Sequence, residues 1–427
     1  MRRTLVLALS VLAAAALAAL LAARAGGAPA GPEARPTPPV AIASAKGAAW
    51  LSAVSDRARN RVFVTWAVAS ATSPSTRVYV AVSRDGGRTY GRPHWVARDD
   101  AAWQPVLRVD RTGRLWATWT HFDLDPDHLL DPKDEYSNPG WQRVAHSDDG
   151  GVTWSRPVDV PRRGRVLTAF GTLAVSPDGR TVTAIWLDYL FPADVGHDAA
   201  TYLSATSRDG GRTFGATRRI VRAGCVCCEP FGFALQGRPA VAFRGWSRGT
   251  PKRAVRDIKV SLATRAGRWA QAEAVSDDRF LLEHCPSAGP VAVVDRRSRT
   301  HLAWWTGATG RAGYWYAIRT PGGTYSDPTL VERHPSAPSE NNATLAMDGR
   351  GRFWTATVGH GDYTSSGKPD TSPNRIAVYA ITTDRRVHRV PAAGTAGSYP
   401  QLAAVQGDIA QVWVDRGRIL GRTLGVS

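Results

Sequence analysis

One octet, present three times, limits what this chain can become. Ser83-Arg84-Asp85-Gly86-Gly87-Arg88-Thr89-Tyr90 returns as Ser147-Asp148-Asp149-Gly150-Gly151-Val152-Thr153-Trp154 and as Ser207-Arg208-Asp209-Gly210-Gly211-Arg212-Thr213-Phe214, at spacings of 64 and 60 residues. Each copy follows a β-type run: Val78-Tyr79-Val80-Ala81-Val82, Arg143-Val144-Ala145 and Tyr202-Leu203-Ser204-Ala205. The residue types are those of a corner between strands. The Asp carboxylate accepts backbone N–H groups just ahead of it. The two glycines supply positive φ for a tight reversal, and the closing aromatic packs between neighbouring sheets. Asp85, Asp149 and Asp209 are therefore read as structural rather than catalytic.

Aligning on the octets exposes a longer unit of four strands. The second strand of most units ends on or beside tryptophan: Trp66, Trp119, Trp186, Trp305 and Trp413. A fourth unit, about 228–275, carries a degenerate octet at 261–269, and a fifth, about 286–331, a decayed one at 320–325. A sixth runs from about 342 to 390. The seventh begins near Tyr399 and ends at Ser427 without a closing strand. Pro39-Val40-Ala41-Ile42-Ala43-Ser44, leading into Ala49-Trp50, resembles Pro93-His94-Trp95-Val96-Ala97, leading into Ala102-Trp103. Residues 39–45 are thus expected to complete the last unit from the other end of the chain, leaving only short edges exposed.

The octet resembles the Asp box of the sialidase (neuraminidase) superfamily. That resemblance implies an all-β fold, a β-propeller of Asp-box (BNR) repeats. The repeat count predicts seven blades, with six, the number in sialidases, as the alternative. Residues 39–427 are expected to form the propeller. Residues 26–38, rich in Pro, Ala and Gly, read as a spacer. Residues 1–25 read as an export signal: Arg2 and Arg3 precede an apolar run, then small residues that suit cleavage. A membrane anchor is the alternative. Exported and monomeric, the chain would meet a membrane only through this segment.

The formal net charge is +18, and only five of the 54 basic residues are lysine. The arginines are scattered, with no basic helix or aromatic reader motif, so nucleic acid is not the expected partner. A basic surface does draw small anions toward a cleft.

Propeller geometry sorts the loops by face. Octets join third to fourth strands on one face. The opposite face carries the loops leading into each inner strand and those joining second to third strands, and pockets gather there around the axis. Among these loops are Asp99 and Asp100, Cys227-Cys228-Glu229, His284-Cys285 and Glu340-Asn341-Asn342. The sialidase resemblance implies a Tyr nucleophile activated by Glu, an Asp acid/base and an Arg cluster for the sugar carboxylate; Tyr is an exception among glycosidase nucleophiles. Tyr399-Pro400-Gln401-Leu402 looks like the stretch bearing that nucleophile. Glu340 is placed as its base, and Arg244 and Arg256 as carboxylate clamps. No Phe-Arg-Ile-Pro stretch is found, and the acid/base Asp is not assigned.

Two further groups stand out. Cys225, Cys227, Cys228 and Cys285 are the only cysteines. In an exported chain they read as disulfides; the alternative is a copper or zinc site assisted by His284 or Glu229. Asp123, Asp125 and Asp127, followed by Asp131 and Asp134, resemble a calcium loop, although His128 stands where glycine is expected.

The functional expectation is an exported propeller acting on or binding an anionic glycan at its central rim, as an exo-glycosidase. The alternatives are a metal-binding or redox-linked propeller using the cysteines, and an assembly scaffold.

Overall fold

All three octets fold into the same corner. Ser83 Oγ donates to Asp85 Oδ1 (2.7 Å) and accepts the Gly87 N–H (2.7 Å). Asp85 Oδ1 then accepts the N–H groups of Arg88 and Thr89, and Oδ2 the Thr89 hydroxyl. The network recurs at Asp149 and Asp209. Both glycines of each octet have positive φ, from +71° to +94°. The second glycine also meets the preceding sheet. A Cβ there would lie 3.0 Å from Ala410 at Gly87, 3.2 Å from Val82 at Gly151 and 2.6 Å from the Trp116 ring at Gly211. Each corner is therefore a reversal and a rivet to its neighbour.

The computed structural model describes residues 31–44, 48–69, 76–97, 101–123, 125–128, 138–161, 166–189, 199–250, 253–282, 286–335, 344–359 and 375–427. Residues 34–427 form one compact unit. The described residues contain no α-helix, and hence no helix able to cross a membrane. Their strands make seven antiparallel sheets of four or five strands, one for each unit read in the sequence, and a small three-stranded sheet. In the first sheet Ala48–Asp56 pairs with Arg61–Ala69, then Thr76–Ser83, then His94–Trp95. The inner strands of the later sheets are Ala102–Val109, Thr168–Val175, Phe231–Leu235, Val291–Val294, Thr344–Met347 and Ser398–Ala404.

Buried residues of adjacent sheets form shared cores, and the last sheet shares one with the first: Ile42, Ala403, Val412 and Ile419 pack with Leu51, Val64 and Trp66. The sheets thus close into a ring, a β-propeller. Trp66, Trp119, Trp186, Trp305 and Trp413 are all buried in these cores. Closure is as expected from the sequence: Val40–Ser44 pairs antiparallel with Arg418–Val426. Ala34–Pro36, inside the stretch read as a spacer, also pairs with that strand. The leader at 1–25 lies outside the described residues.

The inner strands are cross-linked around the ring. Leu402 N–H donates to Thr344 Oγ1 (3.0 Å), Ser55 Oγ to Ala404 O (2.5 Å), Phe170 N–H to Gln104 Oε1 (2.8 Å) and Gly232 N–H to Thr172 Oγ1 (3.2 Å). Gly232 is required by crowding, since a Cβ would lie 2.7 Å from Leu173 O.

Candidate functional site

The inner strands begin irregularly on the face opposite the corners. Register shifts fall between Ala49 and Ser52, Trp103 and Val106, Ala169 and Thr172, and Ser398 and Gln401. The first skipped residue in each is left-handed: Trp50 (φ 54°), Gln104 (52°), Phe170 (53°) and Tyr399 (50°). A β-bulge re-aims side chains at a barrel or ring mouth. Holding a bulky residue left-handed costs roughly 1–2 kcal/mol each. This strain is repeated where the strands converge, and nothing in the local sequence announces it.

The bulges surround a cavity of about 90 Å³, room for several waters at roughly 10–15 Å³ each. Six of the seven inner strands, with the segments leading into them, line it, which places it on the ring axis. Its polar groups are Ser52, Gln104, Arg108, Thr172, Glu229, Tyr399 and Gln401, and Trp50 and Phe231 form part of the wall. Trp50 meets Trp103 (ring centroids 4.5 Å), and Trp103 meets Phe122 edge-on (5.5 Å).

Arg108 is the cavity's guanidinium. It donates to Leu107 O (2.8 Å), Thr172 Oγ1 (3.0 Å) and Gly232 O (3.3 Å), and it covers the Phe231 ring at 4.4 Å. Its pKa is lowered to about 10, because burial outweighs the support of the Glu229 carboxylate. A charged residue on an inner strand is a signal visible in the sequence, and sequence reasoning missed it. The sequence places Glu229 on a cavity-face loop and as an assistant to a metal, not as a catalytic carboxylate.

Tyr399 does reach the cavity. Glu340, Asp99, Asp100, His284 and Cys285 lie outside the described residues. Arg244 and Arg256 are corrected: both are buried inside the wall, 0% and 1% exposed. Arg244 spends its donors on the carbonyls of Ala288 (2.8 Å), Arg256 (2.7 Å) and Trp305 (2.6 Å). A guanidinium so used tethers strands and cannot clamp a substrate carboxylate. The loop order that put these arginines on the correct face does not say whether they point to the axis or into the packing between sheets.

The cysteines gather beside them. Cys225 ends the strand Arg218–Cys225, and Cys228 stands three residues on, just before Glu229. Cys225 and Cys228 are fully buried thiols with sulfurs 3.0 Å apart, and Cys227 is disulfide-bonded. Among the described residues, Cys225, Cys227 and Cys228 alone bring ligand atoms together at metal-site spacing. The aspartates of the expected calcium loop accept backbone N–H groups within the loop. Asp125 N–H donates to Asp123 Oδ1 and Asp127 N–H to Asp125 Oδ1, while His128 Nδ1 meets Asp123 Oδ2 at 2.7 Å. Asp131 and Asp134 lie outside the described residues.

This geometry defines a β-propeller with a small polar and aromatic cavity on its axis. No protein-family model matches the sequence, and no curated protein matches it. Solved structures do. The chain is similar to an α-L-arabinanase of Penicillium chrysogenum solved with arabinobiose: 13% identity, 91% of this chain and 98% of that one, TM-score 0.51. It is also similar to the α-L-arabinofuranosidase Arb93A of Fusarium graminearum, solved with an iminosugar inhibitor: 12% identity, 82% and 98%, TM-score 0.52. A third is the virginiamycin B lyase of Staphylococcus aureus, solved with quinupristin: 10% identity, 92% and 99%, TM-score 0.51. The likeness establishes the propeller fold, at which level the Asp-box resemblance stands. One fold carrying a lyase beside glycosidases leaves the chemistry to the site.

Proposed function

We propose that this protein is a glycan-acting propeller, an exo-glycosidase whose site is the axial cavity. One observation carries the reading: Glu229, Tyr399 and Arg108 line a single cavity beside the amides of Gln104 and Gln401 and the face of Trp50. Carboxyl, phenol and amide groups suit a ring of sugar hydroxyls, and an indole face suits its C–H side. Glu229 takes the proton-transfer role that the sequence assigned to Glu340, and Tyr399 keeps the nucleophile's place. Arginine and carboxylate together make the lining close to neutral, which favours an uncharged sugar over the anionic one expected from the sequence. The disulfide at Cys227 supports export to an oxidising compartment. The arabinose-directed neighbours suggest the first substrates to try.

The test is turnover of aryl arabinofuranosides, hexosides and sialosides by wild type, Glu229→Gln and Tyr399→Phe. The expectation is cleavage of an uncharged glycoside, reduced about 10²–10⁴-fold by Glu229→Gln. Full activity in Tyr399→Phe would remove the tyrosine as nucleophile. A sialoside cleaved in preference would restore the anionic reading. No turnover and no calorimetric binding of any glycan would end the proposal.

A further inference from the structure

The densest unexplained chemistry in the molecule lies behind the cavity wall. Cys225-Val226-Cys227-Cys228 puts two thiols at C-x-x-C spacing on the link between the third and fourth sheets, and the link is clamped. Tyr202 Oη donates to Cys225 O (2.9 Å) and Cys228 O (3.3 Å), and Tyr189 Oη to Val226 O (2.6 Å). Tyr202 can lie there only because residue 224 is glycine; a Cβ would come within 2.1 Å of its ring. The clamp holds the two sulfurs 3.0 Å apart. That is inside van der Waals contact and about 1 Å from the ~2.05 Å of a disulfide bond.

We infer that Cys225 and Cys228 are a redox-active dithiol, a modification site that closes reversibly to a disulfide beside the bonded Cys227. The inference stands apart from the glycan reading and needs no activity to test it.

Electrostatics separate the roles of the two sulfurs. Burial acts to raise Cys225. The Cys228 S–H, Arg256, the Cys227 N–H and Arg244 together outweigh it and bring the thiol down to about 6. Cys228 moves well up, through burial and the neighbouring Cys225 anion. Cys225 is therefore the sulfur that ionises more readily and Cys228 the one that keeps its proton, the division of labour that exchange requires. The same surroundings argue against a metal. Two buried guanidinium groups stabilise an anion and oppose a cation. A third sulfur is already committed to a disulfide. Two sulfurs on one tetrahedral zinc would also stand roughly 3.8 Å apart, from Zn–S bonds of about 2.3 Å.

The co-reactant is a low-molecular-weight disulfide. Cys225 thiolate attacks one of its sulfurs and expels the other as a thiolate, leaving a mixed disulfide on Cys225. Cys228 gives its proton to the expelled thiolate and attacks Cys225 Sγ, releasing the second half as a thiolate. Two protein sulfurs are oxidised by two electrons, and the small disulfide is reduced to one thiol and one thiolate. Since both protein sulfurs are fully buried, exchange proceeds through local opening of the link, at a rate set by that opening.

The experiment equilibrates the full chain in glutathione buffers, quenches by alkylation in denaturant and maps the peptides by mass spectrometry. The expected result is a Cys225–Cys228 linkage that appears and reverses. Its ratio to the alkylated pair should change a hundredfold for a hundredfold change in the quotient of squared thiol to disulfide. Cys228→Ser should hold one glutathione on Cys225. Three results would overturn the inference: both cysteines fully alkylated at every quotient, one zinc or copper per chain lost on reaction of the pair, or a folded Cys228→Ser protein that takes up no glutathione at Cys225. The wild-type titration needs no variant to fold.

Discussion

The octet corners and the cavity bulges solve the same problem, redirecting a strand, in opposite ways. In the three octets the positive φ falls on glycine, and the Asp side chain satisfies the turn's own N–H groups. On the cavity face it falls on Trp50, Gln104, Phe170 and Tyr399, where a side chain carries a conformational penalty. Corners are built for stability, and the second glycine of each leaves no free space for a Cβ. Cavity bulges keep side chains at the expense of stability, as expected where strain positions functional groups.

The strongest challenge to this division is Arg244. If it tethers the wall, Arg244→Leu strands the carbonyls of Ala288, Arg256 and Trp305, and stability falls by about 4 kcal/mol or more. A clamp would instead lose turnover at an unchanged urea midpoint. Gly211→Ala comes next. The new Cβ is both left-handed and in collision with Trp116, and the expected loss is about 3 kcal/mol by chemical denaturation; a loss under about 1 kcal/mol would mean the corner is not a rivet.

Tyr399→Gly sharpens the comparison from the other side. Relief of left-handed strain, about 1–2 kcal/mol, opposes the loss of the half-buried side chain's packing. Stability should move by no more than about 1 kcal/mol while cavity turnover disappears. Retained turnover would detach the bulge from function.

The smallest effect is on acid stability. Burial acts to raise Asp149, but hydrogen bonds from Thr153, Ser147 and Val152 prevail and lower it to about 2. The folded value lies below the unfolded one of about 3.9. Its contribution is therefore present above pH ~4 and is lost as pH falls through about 2. The side chain is exposed, so the effect is modest. The difference in urea midpoint between wild type and Asp149→Asn should shrink from pH 6 to pH 2, and an unchanged difference would contradict the corner's titration.

Much of the fold was legible because its determinants are contiguous. An Asp, two glycines and an aromatic within eight residues define a corner by short-range hydrogen bonding, and three corners define a repeat. Closure by Val40–Ser44 was legible because one repeat lacked a strand that the other end could supply. Tyr399 was legible as the start of an inner strand. Arg244 and Arg256 were misread because loop order gives a face of the ring but not a direction within it. Arg108 and Glu229 were undervalued because each looks ordinary alone.

By itself, the sequence determined the repeated corners, the all-β ring and its latch, since these depend on local turn chemistry and strand periodicity. Only the tertiary structure decided which groups meet. Gln104 and Arg108 share the strand Ala102–Val109, Glu229 lies on the link before Phe231–Leu235 and Tyr399 on Ser398–Ala404, and their convergence depends on how the sheets pack around one axis. The pairing of two thiols with two buried guanidinium groups is likewise a product of packing, written in no single segment.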